Sequence, residues 1–324
     1  MSRAAVHRIV LDVLELAVDG VPPSQEEYQA KGRYGGLITR YFGSWEGVLR
    51  AIARREAETA DESRTPKILL FDLETAPMEL LGFGLYDQNF GVKQIKRDFF
   101  IMSMAAKWLG NPAIIYTDLR NDEFGDDTRL LKVLWHLLDE ADVVVTQNGK
   151  QFDEKVANTR FIMKDLGEPS PFKHIDTKQL AKRRFRFPSN SLEYLGKALG
   201  VDVLKGSHKK FPGFELWLEA LRNNPEAWEE MHAYNVADVL SLEGVYLKLR
   251  GWGTPGVNLN LFQSAARYCC ESCGGSTFRF YGTQEKTSGS YDQFQCTGCG
   301  RWGARKGAGN NLFSESKKAS LRGP

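Results

Sequence analysis

Apolar residues at Val6, Ile9, Val10, Val13, Leu14 and Leu16 recur at helical spacing and predict an amphipathic helix at the start of the chain. Ser24-Gln25-Glu26-Glu27 has the form of a capping box and predicts a second helix. Gly35-Gly36 and Gly43 bracket a third, with Leu37, Ile38 and Tyr41. Ser44 caps a fourth that carries Trp45, Val48, Leu49 and Ile52. The pattern changes after Pro66. Residues 67–74 form a short apolar run with a polar end, bounded by Pro66 and Pro77, and predict a buried strand. Residues 142–147 predict a second strand, which runs into the turn Asn148-Gly149 and then a helix to about Leu166. A long helix follows Asn224-Pro225 and reaches about Arg250. Its apolar stripe is Trp228, Met231, Tyr234, Val239, Leu242, Val245 and Leu249. Residues 277–281 and 293–295 predict strands near the C-terminus.

Breaks between these patterns divide the chain. A polar stretch closed by Pro66 gives an all-α, helix-turn-helix-like module over residues 1–64. An α/β domain follows over 65–250. Gly251-Trp252-Gly253-Thr254-Pro255-Gly256 formally matches G-x-G-x-x-G, but it follows a helix and opens none, so it reads as a linker. Residues 251–306 hold that linker and a cysteine-rich module, and residues 307–324 are expected to be a mobile tail.

The 324 residues are 42% hydrophobic and 26% charged, values typical of a globular protein. The formal charge of +2 excludes a uniformly basic coat. Divided by region, it is 9 basic against 10 acidic residues over 1–64, 25 against 27 over 65–250, and 9 against 4 beyond. The C-terminal region is therefore the basic one. Between Lys31 and Arg55 of the first region, six basic residues (Lys31, Arg33, Arg40, Arg50, Arg54 and Arg55) stand against one acid, Glu46. These basic residues suit either DNA binding or a solvated helical face. No apolar run approaches the ~20 residues of a membrane span, and the N-terminus lacks the marks of a signal peptide. A cytoplasmic location without a membrane partner is expected.

Candidate chemistry begins at the strand end Asp72-Leu73-Glu74. Residues i and i+2 of a strand share a face, so the two carboxylates point together and repel unless a cation sits between them. Asp153 stands at a helix N-terminus where a buried strand has just ended, a place that capping alone explains. Asp176 has the same explanation. On the long helix Tyr234 and Asp238 lie four apart on one face. Four carboxylates on three elements, Asp72, Glu74, Asp153 and Asp238, suggest one cluster holding two divalent ions. Oxygen-only ligands select Mg²⁺ or Mn²⁺.

Asp72-Leu73-Glu74-Thr75, Asn148-Gly149-x-x-Phe152-Asp153 and Tyr234-x-x-x-Asp238 together resemble, in order and spacing, the three exonuclease motifs of the DEDD superfamily. The tyrosine is that of its DEDDy branch, and His232, six residues before Asp238, does not fit the histidine version. Ser191-Leu192-Glu193-Tyr194-Leu195-Gly196 and Leu199-Gly200-Val201 resemble the helix that precedes the third motif. The resemblance spans about residues 65–250. It implies an RNase H-like mixed sheet flanked by helices and metal-dependent 3′→5′ removal of nucleotides from a nucleic-acid end, and DNA is the substrate expected ahead of RNA. By this likeness Asp72, Glu74, Asp153 and Asp238 hold the metals and Tyr234 orients the attacking water. Leu73 and Phe152 pack on the terminal bases, while Asn148 either touches substrate or braces its turn. Residues 23–53 resemble the small helical repeat found beside homing endonucleases, which implies DNA binding.

Lys182, Arg183 and Arg184 lie in a basic run interleaved with aromatics (residues 178–187), with Lys205, Lys209 and Lys210 further on. Such a track suits a single strand of nucleic acid or, equally, a solvated helix face. A polymerase or another replication or repair protein is a further expected partner.

The five cysteines all fall in the last fifth of the chain. Cys270-x-x-Cys273 and Cys296-x-x-Cys299 form two knuckles, with Cys269 left over. Four thiolates at this spacing predict one structural Zn²⁺ in a zinc ribbon. With Arg267, Arg279, Arg301, Arg305 and Lys306 nearby, the ribbon is read as a substrate-binding module rather than a docking one.

Overall fold

The computed structural model describes residues 9–10, 12–13, 15–17, 22–38, 42, 44–60, 66–84, 86, 89–202, 210–253, 258–259 and 268–306, with side chains through residue 52 of the helix that ends at Ala60. Tyr41, Arg40, Lys205, Lys209, Arg267, the side chains of Arg54 and Arg55, and the expected tail over 307–324 lie outside the described residues. Two compact units divide between Arg64 and Thr65.

In the first unit the Ser24 box caps α1 (Gln25–Lys31): the Ser24 hydroxyl accepts from Glu27 N–H, and the Glu27 carboxylate accepts from Ser24 N–H. A 3₁₀ turn over Gly35–Leu37 leads into the place of the expected third helix, where Ile38 and Phe42 are helical and residues 39–41 lie outside the described residues. α2 (Trp45–Ala60) follows. Tyr28 is the centre of a core with Val10, Val13, Ile38, Val48 and Ile52. Its hydroxyl donates to buried Asp12 at 2.7 Å. Arg33 is held by Asp12 at 2.8 Å and Glu15 at 2.5 Å, so this residue of the basic cluster is already neutralised.

The second unit is built on a five-stranded sheet. β1 (Ile68–Thr75) is followed by a small hairpin of β2 (Glu79–Leu80) and β3 (Ile95–Arg97), then by β4 (Ile101–Trp108) and β5 (Ile114–Asp118). The chain continues through α3 (Thr128–Glu140), β6 (Val143–Thr146), α4 (Asp153–Met163), β7 (Lys173–Asp176), α5 (Thr177–Arg184), α6 (Leu192–Ala198), α7 (Glu215–Leu221) and α8 (Pro225–Leu249). The sheet order is β5-β4-β1-β6-β7. β4 lies antiparallel to β1 and β5, while β6 lies parallel to β1 and β7.

Strand alternation assigns the two faces. Leu69, Phe71 and Leu73 of β1 join a core with Leu130, Leu131 and Leu134 of α3 and Ala157 and Phe161 of α4. Ile68 and Leu70 point the other way, into a core with Leu180 of α5, Leu195 of α6 and Val239, Leu242 and Val245 of α8. Asn224 caps α8 with Pro225 in its first turn, where the missing N–H costs nothing.

The cysteine-bearing segment forms a three-stranded antiparallel sheet of β8 (Phe278–Lys286), β9 (Gly289–Cys296) and β10 (Trp302–Lys306), in the order β10-β9-β8. It is fastened to the end of α8. Ser272 Oγ donates to the Arg250 carbonyl at 3.0 Å, and the Arg301 guanidinium donates to the Gly253 carbonyl. A Cβ on Gly251 would lie 2.1 Å from the Cys299 carbonyl oxygen, so only glycine permits this approach.

Candidate active site

Asp72 and Glu74 continue the face of β1 that Ile68 and Leu70 begin, the face covered by α8. On α8, Asp238 precedes the buried Val239 and lies one turn before Leu242. The same alternation and periodicity that build this core therefore bring carboxylates together at its end. Asp72, Glu74 and Asp238 each place an oxygen within 4.8 Å of the others. Like charges this close need a proton or cation between them. The donor set, all carboxylate oxygen, fits a hard divalent cation.

Asp153 lies outside that 4.8 Å group but is tied to it. β1 pairs with β6 only as far as Leu70↔Val145. Beyond that point the Leu73 N–H, between the two β1 carboxylates, has lost its strand partner and instead donates to Asp153 Oδ1 at 3.2 Å. Helix capping is thus not what Asp153 does: it opens α4 without capping it. Burial raises its pKa to about 7, with the charge of Asp176 adding to the shift.

The turn before Asp153 is held from below. Asn148 has φ 71°, a left-handed conformation that asparagine tolerates better than most residues. Its N–H donates to Asp176 Oδ1 at 3.1 Å, and Lys150 N–H reaches Asp176 Oδ2 at 3.4 Å. Asp176 also caps α5 by accepting from Gln179 N–H. The expected cap is present, and the same carboxylate fastens the turn. Under Gly149, the Thr146 hydroxyl accepts its N–H at 3.1 Å and lies 2.7 Å from His174 Nε2, while His174 Nδ1 donates to Glu154 at 2.6 Å. Burial lowers the His174 pKa, against the pull of Glu154.

The remaining site residues are placed differently. Tyr234 is half-buried one helical turn before Asp238, its ring edge-on to Trp217 at 6.3 Å. Phe152 is 44% exposed and available to a ligand. Leu73 is a correction: alternation turns its side chain away from Asp72 and Glu74 into the core, where it is 4% exposed, so it cannot stack on a base. Lys182, Arg183 and Arg184 are exposed on the last turn of α5. Lys210 is paired with Glu226. His232 stacks on Tyr116 at 4.2 Å. Asp176, Trp217 and Asn235 escaped the sequence reading as site residues. Only Asp176 carried a signal, its place at a strand end next to a helix start.

Cys270, Cys273, Cys296 and Cys299 gather their sulfurs within 4.8 Å of one another, and Cys269 stands outside the group. Cys270 Sγ lies 3.6 Å from Cys299 Sγ and Cys273 Sγ 3.6 Å from Cys296 Sγ, and the close approach of the thiols, Cys270 to Cys273 above all, pushes Cys270 down and Cys273 up. Arg301, expected to contact substrate, is engaged by Gly253 and by Glu271 at 3.7 Å. Arg305 lies over the Tyr268 ring at 5.2 Å.

Residues 90–250 match the RNase H superfamily. The core is RNase H-like. The matched span of this RNase H-like core begins after β1, so the assignment of Asp72 and Glu74 rests on geometry rather than on the match. The match and the carboxylate group together point to metal-dependent nuclease chemistry. Among solved structures, the chain is similar to the family B DNA polymerase of the hyperthermophilic archaeon Pyrobaculum calidifontis. The identity is 17% and the TM-score 0.43, over 63% of this chain and 28% of the polymerase. The chain thus spans little more than a quarter of that polymerase. No curated protein sequence matches the chain. No helix among the described residues is long and apolar enough to cross a membrane.

Proposed function

We propose that the protein is a metal-dependent 3′→5′ exonuclease that hydrolyses phosphodiester bonds at nucleic-acid ends, DNA rather than RNA. The observation that carries this reading is the meeting of the Asp72, Glu74 and Asp238 oxygens within 4.8 Å at the end of β1. Asp153 stands beside them and Tyr234 one turn away. Asp72, Glu74, Asp153 and Asp238 would hold two Mg²⁺ or Mn²⁺ ions, which acidify water and stabilise the attacking and leaving oxygens of the displacement. The Tyr234 hydroxyl orients the nucleophilic water, because a phenol of pKa near ~10 is a poor base at neutral pH. Phe152 offers an exposed ring to the terminal base. Asn148 braces the turn that carries Asp153, and Lys182, Arg183 and Arg184 neutralise phosphates of the strand. The direction of digestion comes from the motif resemblance, not from the carboxylates.

Four thiolates in a tetrahedral set leave no open position, so the C-terminal module is read as a structural zinc ribbon. The N-terminal unit is read as a DNA-binding helical module. Reduced zinc thiolates suit the cytoplasm, and a polymerase or other replication or repair protein is the expected partner.

Digestion of 5′-labelled single- and double-stranded DNA and RNA with Mg²⁺ or Mn²⁺ tests the proposal. A descending ladder from DNA, with covalently closed circles left intact, is expected. Cleavage of closed circles would replace it with an RNase H-like endonuclease. Binding without turnover in either metal would leave a catalytically silent nucleic-acid-binding protein.

A further inference from the structure

Asn235 follows Tyr234 on α8 and is fully buried. A buried amide must spend its donors and acceptor on protein partners, and each partner here leads to the carboxylate group. Asn235 Nδ2 donates to Asp72 Oδ2 at 2.8 Å and approaches the Asp72 carbonyl at 3.3 Å. Its Oδ1 accepts from Ser103 Oγ at 3.2 Å. Ser103 is also fully buried, on β4, directly opposite Glu74 in the strand register. The serine hydroxyl thus occupies the oxygen end of the amide and turns its NH₂ toward Asp72.

We infer that Asn235 is a positioning residue for Asp72, oriented in turn by Ser103: it holds one carboxylate oxygen in place so that the other is presented toward Glu74 and Asp238. The inference rests on the metal-nuclease reading above. Outer hydrogen bonds of this kind fix the direction of a ligand's lone pairs, and their loss typically weakens metal binding or activity by about 10–100-fold. A purely structural amide joining α8 to β1 would affect stability and leave metal affinity alone.

The test measures Mn²⁺ binding to the full-length, zinc-loaded protein by electron paramagnetic resonance of the free ion, alongside thermal unfolding and kinetics on a ten-nucleotide single strand. Asn235→Leu, close in volume but without the donor, is expected to weaken Mn²⁺ binding by about 10–100-fold and to lower kcat with little change in KM. Ser103→Ala should give a smaller loss that Ser103→Thr restores. Wild-type Mn²⁺ affinity in folded Asn235→Leu would overturn the inference. If that variant does not fold, Ser103→Ala decides alone, and unchanged Mn²⁺ affinity there overturns it. Asp72→Ala, measured in parallel, separates the two levels. Unaltered Mn²⁺ binding in Asp72→Ala removes the metal reading itself. Loss there, with no effect of the Asn235 or Ser103 changes, removes only the role of Asn235.

Discussion

The carboxylate of Asp153 accepts the backbone N–H of Leu73 at 3.2 Å, and so joins the start of α4 to the strand segment between Asp72 and Glu74. The two functions of that side chain, acceptor and charge, are separable. Asp153→Asn keeps an acceptor for the amide and removes a carboxylate that burial already disfavours. It should fold with nearly unchanged stability and lose nuclease activity. Asp153→Ala also strands a buried N–H and should cost about 1–3 kcal/mol more. Urea denaturation of the two variants reads the difference.

Asp72→Ala and Asp238→Ala each remove one of three clustered charges. Turnover should fall about 10³-fold or more, at the upper end of what one charge-stabilising group supplies, while both variants still fold. Tyr234→Phe should be milder, because it removes orientation and not charge. Wild-type rates in either alanine variant, measured on end-labelled DNA, would rule out the carboxylate assignment.

Folding stability should fall in mild acid because of His174. Burial lowers its pKa in the folded protein, whereas the unfolded chain takes up the proton as pH drops through about 6.5. The contribution of His174 is therefore complete above that pH. It is lost progressively as pH falls toward the lower folded-state value. Wild-type protein should lose stability between pH 7.5 and 5.5, and His174→Gln should lose less. Equal losses in denaturant titrations at the two pH values would dismiss this account.

Freshly purified, reduced protein should contain one equivalent of zinc. Cys296→Ser should lose it and unfold β8–β10 while the five-stranded sheet keeps its own transition. Metal analysis and the amide signals of the two regions report both.

Lys182, Arg183 and Arg184 should contribute through counterion release. Replacing all three with alanine should lower the slope of log affinity against log salt by about 2 units for a single strand, at roughly 0.7 per phosphate. Cleavage at saturating substrate should change little. An unaltered slope would mean that α5 presents a solvated face and nothing more.

The parts of the fold that follow local periodicity could be read from the sequence. The period-2 run of β1 puts Asp72 and Glu74 on one face, and the helical stripe of α8 puts Tyr234 and Asp238 on another; the structure turns these faces toward each other. The same alternation, applied to Leu73, excludes it from the site, and the resemblance obscured that. The contacts missed depend on pairings distant in sequence. Ser103 faces Glu74 only because β4 runs antiparallel to β1 in one register, and Ser103 and Asn235, 132 positions apart, carry no local sign of contact. Asp153 looked like a helix cap because nothing local reveals that β6 stops short of Leu73.

Asp176 accepts N–H groups from Asn148, Lys150 and Gln179, and this gives the protein a shared anchor between two chain crossings. The segments after β6 and after β7 are clamped by the same two oxygens, so neither can change length alone. An insertion among residues 147–152 would pull the turn off its anchor, tilt the first turn of α4 and expose the start of α5 at once. Variation in loop length among relatives should therefore be tolerated elsewhere, for example between β5 and α3, and should be excluded from this corner.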